Sequence, residues 1–301
     1  MTVFARARLS VKWVDRLSTG WLNFALLFLI LLPLIIATGL IVKSLPLLND
    51  GRLAEMLGST TWSPQQGHFG FLAFIMGTLW VTLLSFVLSA PVCLLAAIYL
   101  TQYSPKWLTE VLYFVIDVLA GIPSVVYGVW GVLIVVPFLA NYVAPFFGMS
   151  TTGYCLLSGA IVLAIMAIPY MLNMLMEVLR SVPVELKEAS LSLGATYWET
   201  VKLVVLRKGL TGIIAALSLG ISKALGETIA VLMVVGNVAK VPSSVFDAAY
   251  PLPALIANNY GDMMSVPLYD SALMFAALLL FVIILVFNSI TNLLLHRVRE
   301  V

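Results

Sequence analysis

Two ionisable residues stand four positions apart inside a long apolar stretch of the sequence: Lys223 and Glu227. On one continuous α-helix this spacing places both side chains on the same face. An ionised group at the centre of a bilayer costs on the order of 2.5–3.5 kcal/mol, so such groups face a cavity or each other. Two interpretations follow. The residues form a buried ion pair that fixes helix packing, or Lys223 attracts an anion while Glu227 holds its charge until the anion arrives.

Asp117 is a further ionisable residue in an apolar segment, about one and a half helical turns before Pro123. It could pair with Lys223, cap a broken helix or lie at the membrane interface. Pro123 and Ser124 lie in a glycine-rich stretch that predicts a helix break. Such a break can open backbone amides toward an anion, as in transporters with discontinuous helices. A kink packed through small residues is an equally good interpretation of the pattern.

The remaining polar residues do not predict metal binding or covalent catalysis. Cys93 and Cys155 lie in apolar runs, where cysteine behaves as a small hydrophobe. No Cys or His cluster has metal-ligand spacing. The sequence also lacks the GxxxxGK[ST] motif of nucleotide-binding loops. We therefore expect a chain that is not an enzyme, uses no metal or cofactor and has no nucleic-acid partner. ATP, if it is used, is expected to bind to another chain.

Membrane-spanning helices are the elements that must position these residues. The chain has 301 residues, of which 62% are hydrophobic and 10% charged, whereas a soluble domain carries about 25% charged residues. A span needs roughly 20 apolar residues, and six segments supply them. The sequence therefore predicts an all-α membrane protein with six transmembrane helices. The predicted spans are about 21–42, 70–100, 109–139, 153–176, 209–236 and 269–295.

The positive charges predict the orientation of these spans. Most of the 16 Lys and Arg residues fall at the two ends of the chain or in the loop 177–208, and few fall in the predicted outer loops. By the positive-inside rule, both termini and this loop are cytoplasmic. We thus expect a cytoplasmic segment 1–20 and one transmembrane domain 21–301, multi-pass in the inner (plasma) membrane. The first span lacks a cleavage site and is predicted to be retained.

The loop 177–208 has the pattern of two helices that meet at a corner. Glu188 lies in the first helical run, and Gly194 can supply the left-handed residue that ends it. Thr196 and Glu199 have capping-box spacing, which begins a second helix leading into the fifth span. The pattern also fits an amphipathic loop on the membrane surface. A rigid corner that protrudes would instead transmit force to a soluble partner.

This corner resembles the Glu-Ala-Ala loop of binding-protein-dependent importer permeases. The matching residues are Glu188-Ala189-Ser190, Gly194, Val204 and Leu206-Arg207. The chain departs from the family motif by Ser190 in place of alanine and by Arg207 in place of proline. The resemblance implies the type I ABC importer permease fold, in which this segment is the coupling helix that seats on an ATPase subunit. By position, the coupling role falls on Glu188, Ala189, Ser190 and Gly194.

Other stretches resemble the permeases of phosphate-specific transport systems, namely Gly220–Asn237, Gly121–Gly128 and Ser104–Leu108. The region 244–258 is more similar to the C-type of the two paired permeases. The resemblance implies a permease subunit that forms half of a translocation pathway for inorganic phosphate. The implied partners are a second, similar permease, two ATPase subunits and a periplasmic or extracellular phosphate-binding protein.

The substrate pathway is expected to include the five membrane residues introduced above: Lys223, Glu227, Asp117, Pro123 and Ser124. The phosphate permeases usually carry arginine at the position of Lys223. Arginine binds phosphate through a planar fork, whereas lysine acts as a point charge, so the sign is kept and the geometry is lost. Another oxyanion such as molybdate or sulfate is therefore an alternative cargo. An ion-coupled secondary transporter is a further alternative.

Overall fold

The computed structural model describes residues 2–49, 53–261 and 268–299, without the side chains of 2–17 and 298–299. These residues form α-helices and one small antiparallel hairpin of strands β1 (Trp62–Ser63) and β2 (His68–Phe69). The helices are α1 (Thr2–Leu48), α2 (Leu53–Gly58), α3 (Leu72–Ile98), α4 (Lys106–Gly121), α5 (Ser124–Trp130), α6 (Val136–Phe138), α7 (Ala144–Phe146), α8 (Leu156–Arg180), α9 (Val184–Ser192), α10 (Tyr197–Thr200), α11 (Leu206–Lys208), α12 (Leu210–Leu225), α13 (Ile229–Val234), α14 (Leu252–Asn259) and α15 (Tyr269–Arg299).

Short π-helical turns extend or join several of these helices. They are Tyr99–Tyr103, Gly131–Val135, Leu139–Val143 and Val201–Val205. The first prolongs α3, the next two join α5, α6 and α7 into one helical rod, and the last joins α10 to α11. We call residues 184–208, which hold α9 to α11, the elbow. Single π turns of this kind often occur at functional sites in helices.

Within the described residues, five helices are long and apolar enough to cross a membrane. They are Ser18–Leu48, Leu72–Tyr103, Ser124–Phe146, Leu156–Arg180 and Tyr269–Arg297. A sixth crossing is present if Tyr197–Lys208 and Leu210–Leu225, which are bent by 69° at Gly209, count as one broken span. The predicted all-α membrane fold is confirmed.

The third predicted span, 109–139, is divided between two helices. Helix α4 has 16 residues and ends at Gly121, and Ile122 is extended with ψ 127°. The Pro123 ring disfavours the helical conformation of the residue before it, so the chain must leave the helix there. Helix α4 is shorter than the roughly 20 residues of a crossing, and the spanning rod begins after the break, at Ser124–Phe146.

The fifth predicted span, 209–236, is also interrupted. Helix α12 ends at Leu225, and the amide of Glu227 donates to the Ala224 carbonyl at 3.3 Å in a tightened last turn. Helix α13 begins only at Ile229. Gly226 lowers the helix propensity at the break. Glu227 therefore lies in a turn between two helices. The prediction that it shares a helix face with Lys223 is wrong, because the helix ends between the two residues.

The central packing of the bundle is that of α3 against α8. Small side chains allow this approach, and Cys93, Ala97, Ala160 and Ala167 are almost completely buried. The core around Cys93, Ala97 and Ala167 continues along α8 to the elbow, whose Val201 and Val205 belong to the same cluster. Helix α1 packs mainly on α15, at the edge of the bundle. The elbow is thus joined by apolar contacts to the two central helices.

The hairpin precedes α3 and the turn that contains Asp247 contacts the start of α8, whereas the elbow follows the end of α8. Trp62 of the hairpin stacks edge-on against Phe74 of α3, with centroids 4.9 Å apart. In the turn, Asp247 accepts hydrogen bonds from the Ser243 hydroxyl at 2.8 Å and from the Ser243 and Ser244 amides. These bonds lower the pKa of Asp247, with the Ser243 hydroxyl as the largest cause.

Gly153 is the glycine whose replacement we expect to destabilise the fold most clearly. Its φ is +84°, and a Cβ there would collide with the Val136 carbonyl. Left-handed backbone costs other L-residues about 1–2 kcal/mol even without a collision. We expect Gly153→Ala to lower the midpoint of thermal unfolding in detergent. The matched control is Gly148→Ala, because Gly148 has φ +69° and open space around its Cβ position; equal shifts for the two variants would contradict this expectation.

Candidate functional site

Lys223 lies in the last turn of α12, half-buried, with its charge directed onto an aromatic ring. Its Nζ atom is 3.0 Å from the centroid of the Tyr170 ring on α8. The negative face of an aromatic ring attracts a cation, and this attraction grows when the cation is removed from water. The Tyr170 ring therefore compensates part of the charge of Lys223.

Glu227 does not neutralise Lys223. No ion pair joins these two residues, both of which are described in the structure. They do border the same narrow pocket against α8, together with Leu163, Met166 and Ala167. Lys223 and Glu227 thus lie at the same pocket but do not form the predicted ion pair. Among the described residues, the contact that compensates the charge of Lys223 is therefore the Tyr170 ring and not a carboxylate.

Asp117 lies on the exposed face of α4. It accepts a hydrogen bond of 3.3 Å from the Nδ2 group of Asn173 on α8. One turn earlier on α8, the Tyr170 hydroxyl donates to the carbonyl of Ala120 at 3.1 Å. Pairing of Asp117 with Lys223, one of the alternatives left open by the sequence, is not observed. The two hydrogen bonds instead attach the end of α4 to the helix that carries the Tyr170 ring.

Pro123 and Ser124 form the junction between α4 and α5. Pro123 occupies the N-cap position with an extended backbone and provides no side-chain capping hydrogen bond, and α5 begins at Ser124. Gly128, one turn further, is buried where a Cβ would meet Met233 and Ala230 of α13. The glycine therefore allows close helix packing. The junction lies next to Ala120, which Tyr170 contacts, so the break and the Lys223 site are connected through one side chain.

Tyr170 and Asn173 are site residues that the sequence analysis missed. Both lie in a spanning helix, α8, whose other residues are mostly apolar. An aromatic residue in such a run is expected to belong to the core. The available signal was their spacing of three positions, which places two polar groups on one helix face. Nothing in the sequence predicts that this face meets both α4 and α12.

The elbow has the local structure that the sequence predicts. Gly194 adopts φ +87°, and α9 ends just before it. Thr196 and Glu199 form a reciprocal capping box, with Glu199 accepting from the Thr196 amide at 2.8 Å. Ser190, which replaces the motif alanine, shares a hydrogen bond of 3.0 Å with the hydroxyl of Thr200. This bond closes the corner between α9 and α10.

The outer surface of the elbow is exposed and partly apolar. Glu188 and Ala189 are exposed on α9, and Leu193 at the corner is 89% exposed. Val184 and Trp198 are also more than half exposed. Exposed apolar side chains grouped in a rigid corner are typical of a protein–protein contact. The elbow is therefore a candidate interaction surface.

A helical bundle crossed by a bent span, with a protruding elbow, is the architecture of a solved class of transport proteins. The transmembrane chain of a bacterial alginate ABC transporter matches with TM-score 0.62 and 15% identity, covering 96% of each chain. The MetNI methionine ABC transporter matches with TM-score 0.59 and 20% identity, covering 76% of this chain and 95% of that chain. The structure has the type I ABC importer permease fold.

The chain belongs to the family described as binding-protein-dependent transport system inner membrane component, whose sequence model matches residues 93–300. It is 34% identical over 281 residues to the phosphate transport system permease protein PstC of Xylella fastidiosa (strain Temecula1), covering 87% of this chain and 86% of that protein. It is 33% identical over 307 residues to PstC of Pasteurella multocida, covering 97% and 95%. The resemblance to C-type permeases is confirmed, and the chain is a multi-pass transport component of the inner membrane.

Proposed function

We propose that this chain is a permease subunit of an ATP-driven importer of inorganic phosphate and forms half of its translocation pathway. The observation that carries this proposal is the similarity to proteins named as phosphate permeases over most of the chain. The expected partners are a second, similar permease, two ATPase subunits and a phosphate-binding protein outside the membrane. Both termini and the elbow would lie in the cytoplasm, as the positive charges predict.

In this proposal Lys223 supplies positive potential along the phosphate route. Lysine is a point charge without the bidentate geometry of arginine, so it would attract the anion without binding it tightly. Weak binding suits a route from which the anion must leave. The phosphate would take the place of the Tyr170 ring as the partner of Nζ, and Glu227, at the same pocket, would favour its release by like-charge repulsion.

The elbow would carry the movement of the ATPase to the helices. ATP stabilises the closed form of the ATPase dimer, and only this difference in affinity can shift the permease between two access states. The exposed surface of α9 and Leu193 would seat on the ATPase. The 69° bend between the elbow and α12 would transmit that displacement to the helix that carries Lys223.

The test of this function is purification in mild detergent followed by reconstitution of the purified complex into vesicles. We expect an ATPase and a second permease to purify with the chain, and vesicles given the binding protein to take up labelled phosphate in a vanadate-sensitive manner. Preferential uptake of molybdate or sulfate would overturn phosphate as the cargo. Uptake that needs an ion gradient and resists vanadate would overturn the importer class.

Glu188→Lys is expected to weaken the contact with the ATPase, because it reverses a charge on the exposed face of α9. We expect the amount of ATPase that purifies with the chain to fall severalfold, because reversing a charge at an interface disturbs its electrostatic complementarity. The matched control is Glu110→Lys on α4, an equal charge change at an exposed position outside the elbow. Normal co-purification and normal coupled hydrolysis in Glu188→Lys would contradict a coupling role for this residue.

A further inference from the structure

Two residues of the elbow form hydrogen bonds with Gln102, which lies in the π-helical turn that prolongs α3. The ammonium group of Lys187 on α9 donates to Gln102 Oε1 at 3.0 Å. The hydroxyl of Tyr197, at the start of α10, donates to the Gln102 backbone carbonyl at 2.6 Å. Helices α9 and α10 of the elbow therefore meet the same residue at the end of a spanning helix. This residue is about 85 positions away from Lys187 in sequence, so the contact is formed by the fold and not by the local chain.

The side-chain amide of Gln102 is oriented for this contact. Its Nε2 group donates to Thr101 Oγ1 at 3.0 Å, and the Thr101 hydroxyl donates to the Ala97 carbonyl at 2.7 Å. Because Nε2 is held on this side, Oε1 is directed toward Lys187. Burial lowers the pKa of Lys187, as expected for an ammonium group withdrawn from water.

The carbonyl of Gln102 is available because α3 ends there. The π-helical turn Tyr99–Tyr103 closes with the amide of Ser104 bonded to the Tyr99 carbonyl at 2.9 Å, and the chain then becomes extended. Carbonyls in the last turn of a helix have no partner within the helix. Tyr197 satisfies this one, and its ring packs edge-on against Tyr103 with centroids 5.2 Å apart.

We propose that Gln102 is a positioning residue that transmits elbow movement to α3, alongside the covalent path through Gly209 to α12. This inference rests on the proposed function, since it assigns a role in coupling. Helix α3 is packed along α8, and α8 carries Tyr170 over Lys223. The elbow is thus joined to α12, which carries Lys223, and through the Gln102 contact also to the pair α3 and α8, which carries the Tyr170 ring. Without this contact, the elbow would be joined to α3 and α8 mainly by the apolar contacts of Val201 and Val205, which lack the directionality of a hydrogen bond.

The test measures the number of phosphate ions imported per ATP hydrolysed by the reconstituted whole complex with its binding protein. Gln102→Leu and Lys187→Met each remove one side of the hydrogen bond. We expect each to lower this ratio about fivefold, within the usual range of coupling between sites, while hydrolysis stimulated by the binding protein persists. The double variant should be no worse than either single variant, because both changes remove the same contact. Gln102→Glu, which keeps an acceptor for Lys187, should restore the ratio.

Two further variants keep the test decisive. Tyr197→Phe removes only the donation to the Gln102 carbonyl and keeps the ring contact with Tyr103, so we expect a smaller loss of the ratio in a folded complex. Lys202→Met, at an exposed lysine of the elbow, should leave the ratio unchanged. An unchanged ratio in the Gln102, Lys187 and Tyr197 variants would overturn the inference, whether uptake and hydrolysis both stay at the wild-type rate or both fall equally. Failure of the wild-type complex to import phosphate would instead overturn the proposed function.

Discussion

Lys223→Gln is expected to lower phosphate uptake by the reconstituted complex about tenfold or more, with assembly unchanged. Hydrogen bonds to charged groups contribute about 1.5–3 kcal/mol, and about 1.4 kcal/mol corresponds to a factor of ten. The glutamine side chain is one atom shorter than lysine and stays polar, but it lacks the charge that now faces Tyr170. It also leaves the pocket shared with Glu227 net negative, which would repel the anion.

Two variants separate the charge from other effects of the substitution. Lys223→Arg keeps the charge and adds a fork that suits phosphate, so we expect it to retain most of the uptake. Lys240→Gln removes a lysine that lies exposed beyond α13 and should leave uptake unchanged. The measurement is the initial rate of labelled phosphate uptake at equal amounts of complex. A wild-type rate in Lys223→Gln would remove this residue from the mechanism.

Leu193→Asp is expected to cause the largest loss of ATPase binding among elbow variants. Leu193 is 89% exposed at the corner, where an isolated permease places an apolar side chain in water. Burying a leucine fully contributes about 1.5–3 kcal/mol, so its replacement by a charged group should weaken the complex on the order of tenfold to a hundredfold. The measurement is the dissociation constant of the purified permease pair and the ATPase in detergent.

The conservative variant Leu193→Met provides the control for this experiment. It keeps an apolar side chain of similar volume and should bind the ATPase almost as the wild type does. The residue precedes Gly194 and is not part of the capping box, so neither change should unfold the elbow. An unchanged dissociation constant for Leu193→Asp would show that the corner does not enter the ATPase interface.

The elbow could be predicted from the sequence because its structure is determined locally. A left-handed glycine and a reciprocal capping box act within a few residues, and both Gly194 and the Thr196–Glu199 pair have the expected geometry. The spanning helices were predictable for a similar reason, since composition alone distinguishes lipid-facing segments. The apolar corner at Leu193 was not predicted, because exposure depends on what the rest of the chain leaves uncovered.

The candidate site was less predictable because it depends on contacts between distant segments. The spacing of Lys223 and Glu227 implied one helix face, but a helix end at Leu225 separates them. The partner that Lys223 does contact, Tyr170, belongs to another span. Likewise, Gln102 carries no sequence signal, since its role arises from the docking of the elbow on α3.

The hydrogen bonds that Asp247 accepts make its turn less sensitive to mild acid than a turn held by an ordinary carboxylate would be. A carboxylate whose pKa is lower in the folded than in the unfolded chain stabilises the fold above its unfolded pKa. This contribution is lost only as the pH falls through the lowered folded value. Asp247 therefore keeps Ser243 and Ser244 in place under mildly acidic conditions, in which an ordinary carboxylate would begin to take up a proton. In the proposed orientation this turn lies on the outer side of the membrane, so its hydrogen bonds would persist when the surrounding medium becomes mildly acidic.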